Sequence, residues 1–267
     1  MGFAAALAYA LLMNAIPLAD VLWHGRSPAA LLLLFWFETL LMFVTGAVRI
    51  VVHRRATRKT GHYAPTGTVS RHDAGVAEVR QDLGDGNTYL RHFVALTAVF
   101  TVAHGLFVLS LVFLFGVGGP LPWADAQAAL LWAIAVQVGF LLVDLVHLRA
   151  WTFAQLNESC GNATIRVLVT QLGLIFGIPA IGVTGSAWGM IGTFMGLRAL
   201  ADASIAWLRG FVRRRDLPPP LARFLARRGK QTVAELEAEF DAMKERGRDV
   251  EVLLERPIDE VRELRPA

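Results

Sequence analysis

Glu38 stands in the middle of the apolar run from Ser27 to Val44. A carboxylate at mid-bilayer depth costs roughly 3 kcal/mol or more when unpaired, so such residues face a bundle interior and mark a function. Similar intruders recur in other apolar stretches: Asn14, His104, Gln137, Asp144, Gln171, Arg198 and Asp202. Carboxylate and imidazole together can move protons, hold a small ligand or ion, or ligate zinc, iron or manganese. Asp144 and His147 are spaced i, i+3 on one helical face, and Arg198 and Asp202, spaced i, i+4, can form an intrahelical ion pair. We take Glu38, His104, Asn14, Asp144, His147, Arg198 and Asp202 as candidate ligand-binding residues, forming a polar seam that reaches the bilayer centre. Glu38 and His104 are the candidates for a divalent metal, but no HExxH, no Glu-x-x-His and no close His pair lies on any helix, so the metal signal is weak. His24, His53, His62, His72 and His92 lie in or beside polar loops and are given no role.

These residues require membrane helices to position them. Apolar residues make up 55% of the 267-residue chain and charged residues 18%, against roughly a quarter charged in soluble domains. The mean hydropathy is +0.48. Spans of about 20 apolar residues can be drawn at 3–23, 28–52, 91–116, 126–148, 164–183 and 188–207. The expected fold is all-α, six transmembrane helices in a bundle, because lipid cannot satisfy open backbone groups. The membrane domain covers residues 1–212 with a loop at 53–90, and a tail with an amphipathic helix covers 213–267. Gly173-x-x-x-Gly177, Gly185-x-x-x-Gly189 and Gly192-x-x-x-Gly196 read as close helix packing.

Charge sets the orientation. Arg54, Arg55, Arg58, Lys59, Arg91, Arg149, Arg166 and Arg213 to Arg215 fall on one side, and Arg26 on the other. The positive-inside rule puts both termini in the cytoplasm. A net charge of +4 and a pI near 9.7 therefore reflect topology, and nucleic-acid binding is not expected. Cys160 is the one cysteine, which excludes an intrachain disulfide and a multi-cysteine metal site. The N-terminal apolar stretch lacks a basic n-region and reads as a retained helix. The loop beyond Arg54 is polar, with turns at residues 64–67 and 84–87, and reads as flexible. In the tail, Thr232-x-x-Glu235 is a capping box opening a helix with Val233, Leu236, Phe240 and Met243 on one face until Gly247. That face reads as the buried side of a small packed appendage, the alternative being docking on the bundle, a protein partner or a second copy.

Several segments carry a resemblance: Asn14-Ala-Ile-Pro17, Leu34-Phe-Trp-Phe-Glu38-Thr, His104-Gly-Leu-Phe-Val108, Arg166-Val-Leu-Val169, Ile175-Phe-Gly177 and Leu197-Arg198-x-x-x-Asp202. Together they resemble an uncharacterised bacterial integral-membrane family, domain of unknown function 6498, over roughly residues 10–210. The resemblance implies a conserved intramembrane glutamate, kept here as Glu38, and a His-Gly pair, kept as His104-Gly105. It also implies further intramembrane histidines, which this chain replaces with Leu96, Gln137 and Gln171. A family rich in membrane-buried His and Glu would suit a metal site, and this chain has lost several of the ligands. The expectation is an inner-membrane protein embedded in the lipid bilayer whose polar core around Glu38 and His104 binds an ion, a proton or a small ligand. The alternatives are an intramembrane metal-dependent enzyme and a structural or assembly subunit.

Overall fold

The computed structural model describes residues 27–66, 76–116, 123–186, 192–197 and 232–263, with a few further positions between them. Among these, regular structure is helical: α1 (Pro28–Thr57), α2 (Val76–Gln81), α3 (Thr88–Leu109), α4 (Trp123–His147), α5 (Phe153–Thr184), α6 (Val233–Glu255) and α7 (Ile258–Glu263). Among the described residues, four segments are long and apolar enough to cross a membrane: Ala29–Thr57, Thr88–Leu114, Ala133–Ala150 and Phe153–Thr184. They correspond to the second to fifth predicted spans. The first predicted span lies outside the described residues, and of the sixth only part is described, with residues 192–197 helical.

Several helices outrun their apolar cores. α1 continues through the basic residues to Thr57, and α5 begins at Phe153, eleven residues before the predicted start. Helical backbone does not need apolar side chains once its hydrogen bonds run on, so hydropathy marks the membrane part of a helix and not its ends. Large aliphatic side chains lie open on these helices, with Val99 at 70%, Val146 at 78% and Val183 at 88% exposure. Such surface is stable against lipid tails and costly in water.

The chain divides into two compact units. The apolar unit comprises residues 1–46, 96–144 and 158–213. Its core packs Leu32 and Phe35 of α1 with Val108, Leu111 and Val112 of α3 and its π-helical extension, and with Phe194 and Met195. The Trp36 indole donates to the Thr101 carbonyl at 3.1 Å. A Cβ at Gly105 would stand 2.7 Å from the same indole nitrogen, so α1 approaches α3 where glycine leaves room. Gly173 likewise admits the ring of Phe194, which stacks on Phe35 with centroids 4.5 Å apart. Gly192 and Gly196 face open space among the described residues, so only part of the small-residue pattern serves close packing.

The tail unit comprises residues 47–95, 145–157 and 214–267. The loop expected to be flexible is instead partly a buried core, since Thr60 to Ala64, including a 3-10 turn, are buried. The partner that buries them comes from the far end of the chain, nearly two hundred residues on. Thr60 donates its amide and hydroxyl to the Arg256 carbonyl, both at 2.8 Å, and Ile258 donates its amide to the Arg58 carbonyl at 3.1 Å. Arg58, with φ 51, ends α1 in the left-handed region, and its guanidinium pairs with Asp259 at 3.1 Å.

The predicted capping box is present. Glu235 donates its amide to the Thr232 hydroxyl at 3.2 Å, and Thr232 donates its amide to the Glu235 carboxylate at 2.8 Å. The Thr232 amide and hydroxyl, both donating to it, hold the Glu235 carboxyl below its usual range. The helix does not stop at Gly247 but runs to Glu255. An interior glycine costs about 1 kcal/mol, and burial of Val250, Leu253 and Leu254 beyond it outweighs that cost. The docking face is therefore this last stretch with Ile258 and Val261, while Val233 and Leu236 are half-buried. The side chains of Phe240 and Met243 lie outside the described residues.

Candidate functional site

The seven candidate residues fare differently. His104 is fully buried on α3, and neither ring nitrogen has a hydrogen-bond partner among the described residues. It stands on a stripe with Thr101 and Thr97 one and two turns earlier, and both threonines are buried. The adjoining Thr101 carbonyl and Gly105 are already engaged by Trp36, so this turn of α3 is fixed in place against α1. The Gln171 side-chain nitrogen on α5 is a further buried polar atom of the same unit without a described partner.

Glu38 is half-buried on α1 and has an interaction of its own. It lies about 200° around the helix from Trp36, from the 100° turn per residue, and so is not on the face that Trp36 presents to α3. Asp144 is half-buried on α4 and His147 is exposed, and each has an interaction partner. Asn14, Arg198 and Asp202 lie outside the described residues. Among the described residues, no group of three or more His, Cys, Asp or Glu side chains could hold a metal ion.

The tail unit contains a histidine pair to which sequence reasoning gave no role. His53, at the end of α1, and His62, in the 3-10 turn, are both fully buried. His53 Nδ1 lies 2.8 Å from His62 Nε2, and His53 Nε2 lies 3.1 Å from the Trp151 carbonyl oxygen. A carbonyl only accepts, so a neutral His53 carries its proton on Nε2 and accepts on Nδ1. His62 must then donate from Nε2, which leaves His62 Nδ1 a bare lone pair with no partner.

The surroundings of this pair are aromatic and cationic. His62 meets Phe153 edge to face at 5.2 Å and Tyr89 at 6.5 Å, and Tyr89 meets Phe153 at 5.1 Å. Gly61 lies directly under the Phe153 ring, where a Cβ would clash. Desolvation, reinforced by the charges of His53, Arg54 and Lys59, pushes the His62 imidazole down to about 3. Burial therefore favours the neutral form of His62. Sequence reasoning missed the pair because its burial depends on segments around 151 and 256. The local signal was a glycine followed by His62, Tyr63 and Ala64 within a stretch that otherwise reads as polar.

Glu255 closes this cluster. Its carboxylate accepts from the amides of Phe153 and Ala154 at the start of α5, and pairs with Lys59 at 2.6 Å. Lys59 also donates to the Trp151 carbonyl at 2.8 Å. A carboxylate on orphan amides at a helix start satisfies them and complements the helix dipole.

No curated protein and no solved structure gives a significant match to this chain. Residues 2–228 match a family of unknown function, DUF6498, which agrees with the family that the motifs around Glu38 and His104 resemble. The match takes in α1 to α5 and stops short of α6 and α7, so this chain is a member of the DUF6498 family carrying a helical tail beyond the family's matched region.

Proposed function

We propose that the chain is a six-span membrane protein with both termini on the cytoplasmic side of the inner membrane, and that its apolar unit binds an ion, a proton or a small polar ligand at His104. Glu38 supplies the second ionisable group, and Asn14, Asp144, His147, Arg198 and Asp202 extend the polar path. The observation that carries this reading is His104, a fully buried imidazole with both ring nitrogens unpartnered among the described residues. A buried polar group left unsatisfied costs about 1–3 kcal/mol, a cost that serves no packing purpose. Neutral imidazole presents one N–H and one lone pair, the two functions a proton or a small polar ligand uses.

A scaffold reading is favoured by one observation, the tight seat of Trp36 against Thr101 and Gly105. His104→Leu separates the two. For a binding site, the variant reconstituted in proteoliposomes loses dye-detected proton flux or ligand-dependent stabilisation. Its melting temperature holds or rises by a few degrees, since about 1 kcal/mol moves a chain of this size by about 2–4 °C. A fall in melting temperature with unchanged flux would establish the scaffold and discard the binding site. Elemental analysis of the same preparations, beside Glu38→Gln, tests whether the ion is a transition metal.

A further inference from the structure

The tail unit uses most of its well-placed cations internally. Lys59 is held by Glu255, Arg58 by Asp259, and Arg54 and Arg262 lie over the Tyr63 ring at 5.4 and 5.5 Å. Three arginines are treated differently. Arg55, Arg91 and Arg149 are exposed, and their guanidinium groups have no ion pair or hydrogen bond among the described residues.

Their places in the chain are not scattered. Arg55 stands in the last turn of the first described span, Arg91 in the first turn of the second, and Arg149 in the 3-10 turn that ends the third. Consecutive spans alternate in direction, so these three ends belong to one face of the membrane, and all three residues fall in the tail unit. One turn toward the membrane from Arg91 is Val94, 45% exposed, and one turn toward it from Arg149 is Val146, 78% exposed. Guanidinium at the boundary with an open aliphatic side chain one turn deeper matches the two chemical layers of a phospholipid, phosphate above acyl chain.

We propose that Arg55, Arg91 and Arg149 form a binding surface for the phosphate groups of anionic phospholipids. Guanidinium grips a phosphate with paired N–H donors, and the neighbouring valines seat the upper acyl carbons, which a free phosphate or an acidic protein surface would leave uncovered. The tail contributes by occupation: Glu255 and Asp259 neutralise Lys59 and Arg58, so at the span ends lipid contact is left to these three arginines. This inference rests on the membrane-spanning reading but not on any role for His104.

The test uses full-length protein in nanodiscs of phosphatidylcholine with and without phosphatidylglycerol, with retained lipid counted by native mass spectrometry after detergent release. Wild type should retain phosphatidylglycerol in preference to phosphatidylcholine. Each arginine near an anionic surface is worth about fivefold, so R55Q/R91Q/R149Q should weaken the preference on the order of a hundredfold. R246Q/R248Q, which removes two exposed arginines of α6, should retain it. The proposal is overturned by equal retention of the two lipids by wild type, by an undiminished preference in the triple variant, or by an equal loss in R246Q/R248Q. Displacement of the lipid by millimolar inorganic phosphate would also overturn it, because the site would then read the anion alone. Circular dichroism matching wild type shows that the triple variant is folded. Failure of the wild type to enter the disc would instead remove the membrane reading beneath the proposal.

Discussion

Two buried imidazole environments in this molecule have opposite hydrogen-bond ledgers. His53 and His62 form a directed chain, His62 Nε2–H to His53 Nδ1 and His53 Nε2–H to the Trp151 carbonyl, with only His62 Nδ1 left over. His104 is equally buried and has no partner at either nitrogen among the described residues. The sequence makes His104 look special, since it interrupts an apolar run, and makes His53 and His62 look like loop residues. Their hydrogen bonds assign the roles more usefully. An imidazole whose protons are committed holds a fold together, whereas one whose protons are uncommitted is kept for something else or is a net cost.

The largest expected effect breaks the committed pair. His53→Ala leaves the His62 N–H buried without an acceptor, removes one donor from Trp151, and opens a cavity beside the His62–Tyr89–Phe153 cluster. Breaking a buried network of this kind costs about 3 kcal/mol or more. Amides of residues 58–64 should then exchange hydrogen at least a hundredfold faster, by mass-resolved exchange, while those of 100–108 keep their protection. Equal loss of protection in both stretches would mean that the two imidazole environments are not energetically separate, and would remove the contrast on which their assignment rests.

Acid should weaken the same cluster. His62 is pushed down from 6.5 to about 3 in the folded protein. Between those values the unfolded state binds the extra proton, so the stabilising contribution is fully present above pH 6.5 and is lost as the pH falls toward 3. The slope is about 1.4 kcal/mol per pH unit. The charges that surround His62, those of Arg54 and Lys59 together with its partner His53, oppose its protonation. Protection of residues 58–64 should therefore fall by about tenfold for each unit below pH 6, and His62→Leu should flatten that dependence. A wild-type profile level between pH 6 and 4.5 would show that His62 is solvated in the folded state.

How much of this was legible depended on the distance over which each feature is determined. Hydropathy over about 20 residues located the spans around Leu34, Val99, Leu141 and Ile175, because lipid exposure is a local demand on each side chain. The tail helix start was legible too, since Thr232 and Glu235 satisfy one another within a single turn. Its end was not, because Gly247 reads as a stop and only the burial of Val250 and Leu253 against the rest of the unit carries the helix past it. Glu38 and His104 were flagged as polar residues in apolar runs, but which residues face them is a property of several helices together. The burial of Thr60 to Ala64 was beyond local reading, since its partners are Phe153, Arg256 and Ile258. The tail that supplies two of these lies outside the region the family shares.

Glu255 gives the smallest and sharpest test, because its carboxylate does two jobs that a conservative change can separate. It accepts from the Phe153 and Ala154 amides and pairs with Lys59, whose side chain is 18% exposed against 25% for Glu255. Glu255→Gln keeps an oxygen to accept from the start of α5 and gives up the ion pair, for an expected loss of about 1 kcal/mol. Glu255→Ala gives up both, adding about 1 kcal/mol for the uncapped helix. Denaturation of the full chain by guanidinium, read from tryptophan fluorescence, should rank wild type above Gln and Gln above Ala. If Gln and Ala are equally destabilised, the ion pair carries the whole effect and the α5 amides find other acceptors. If Gln matches wild type, the tail holds the histidine cluster through Thr60 and the apolar face of Leu253, Leu254 and Ile258, and charge has no part in it.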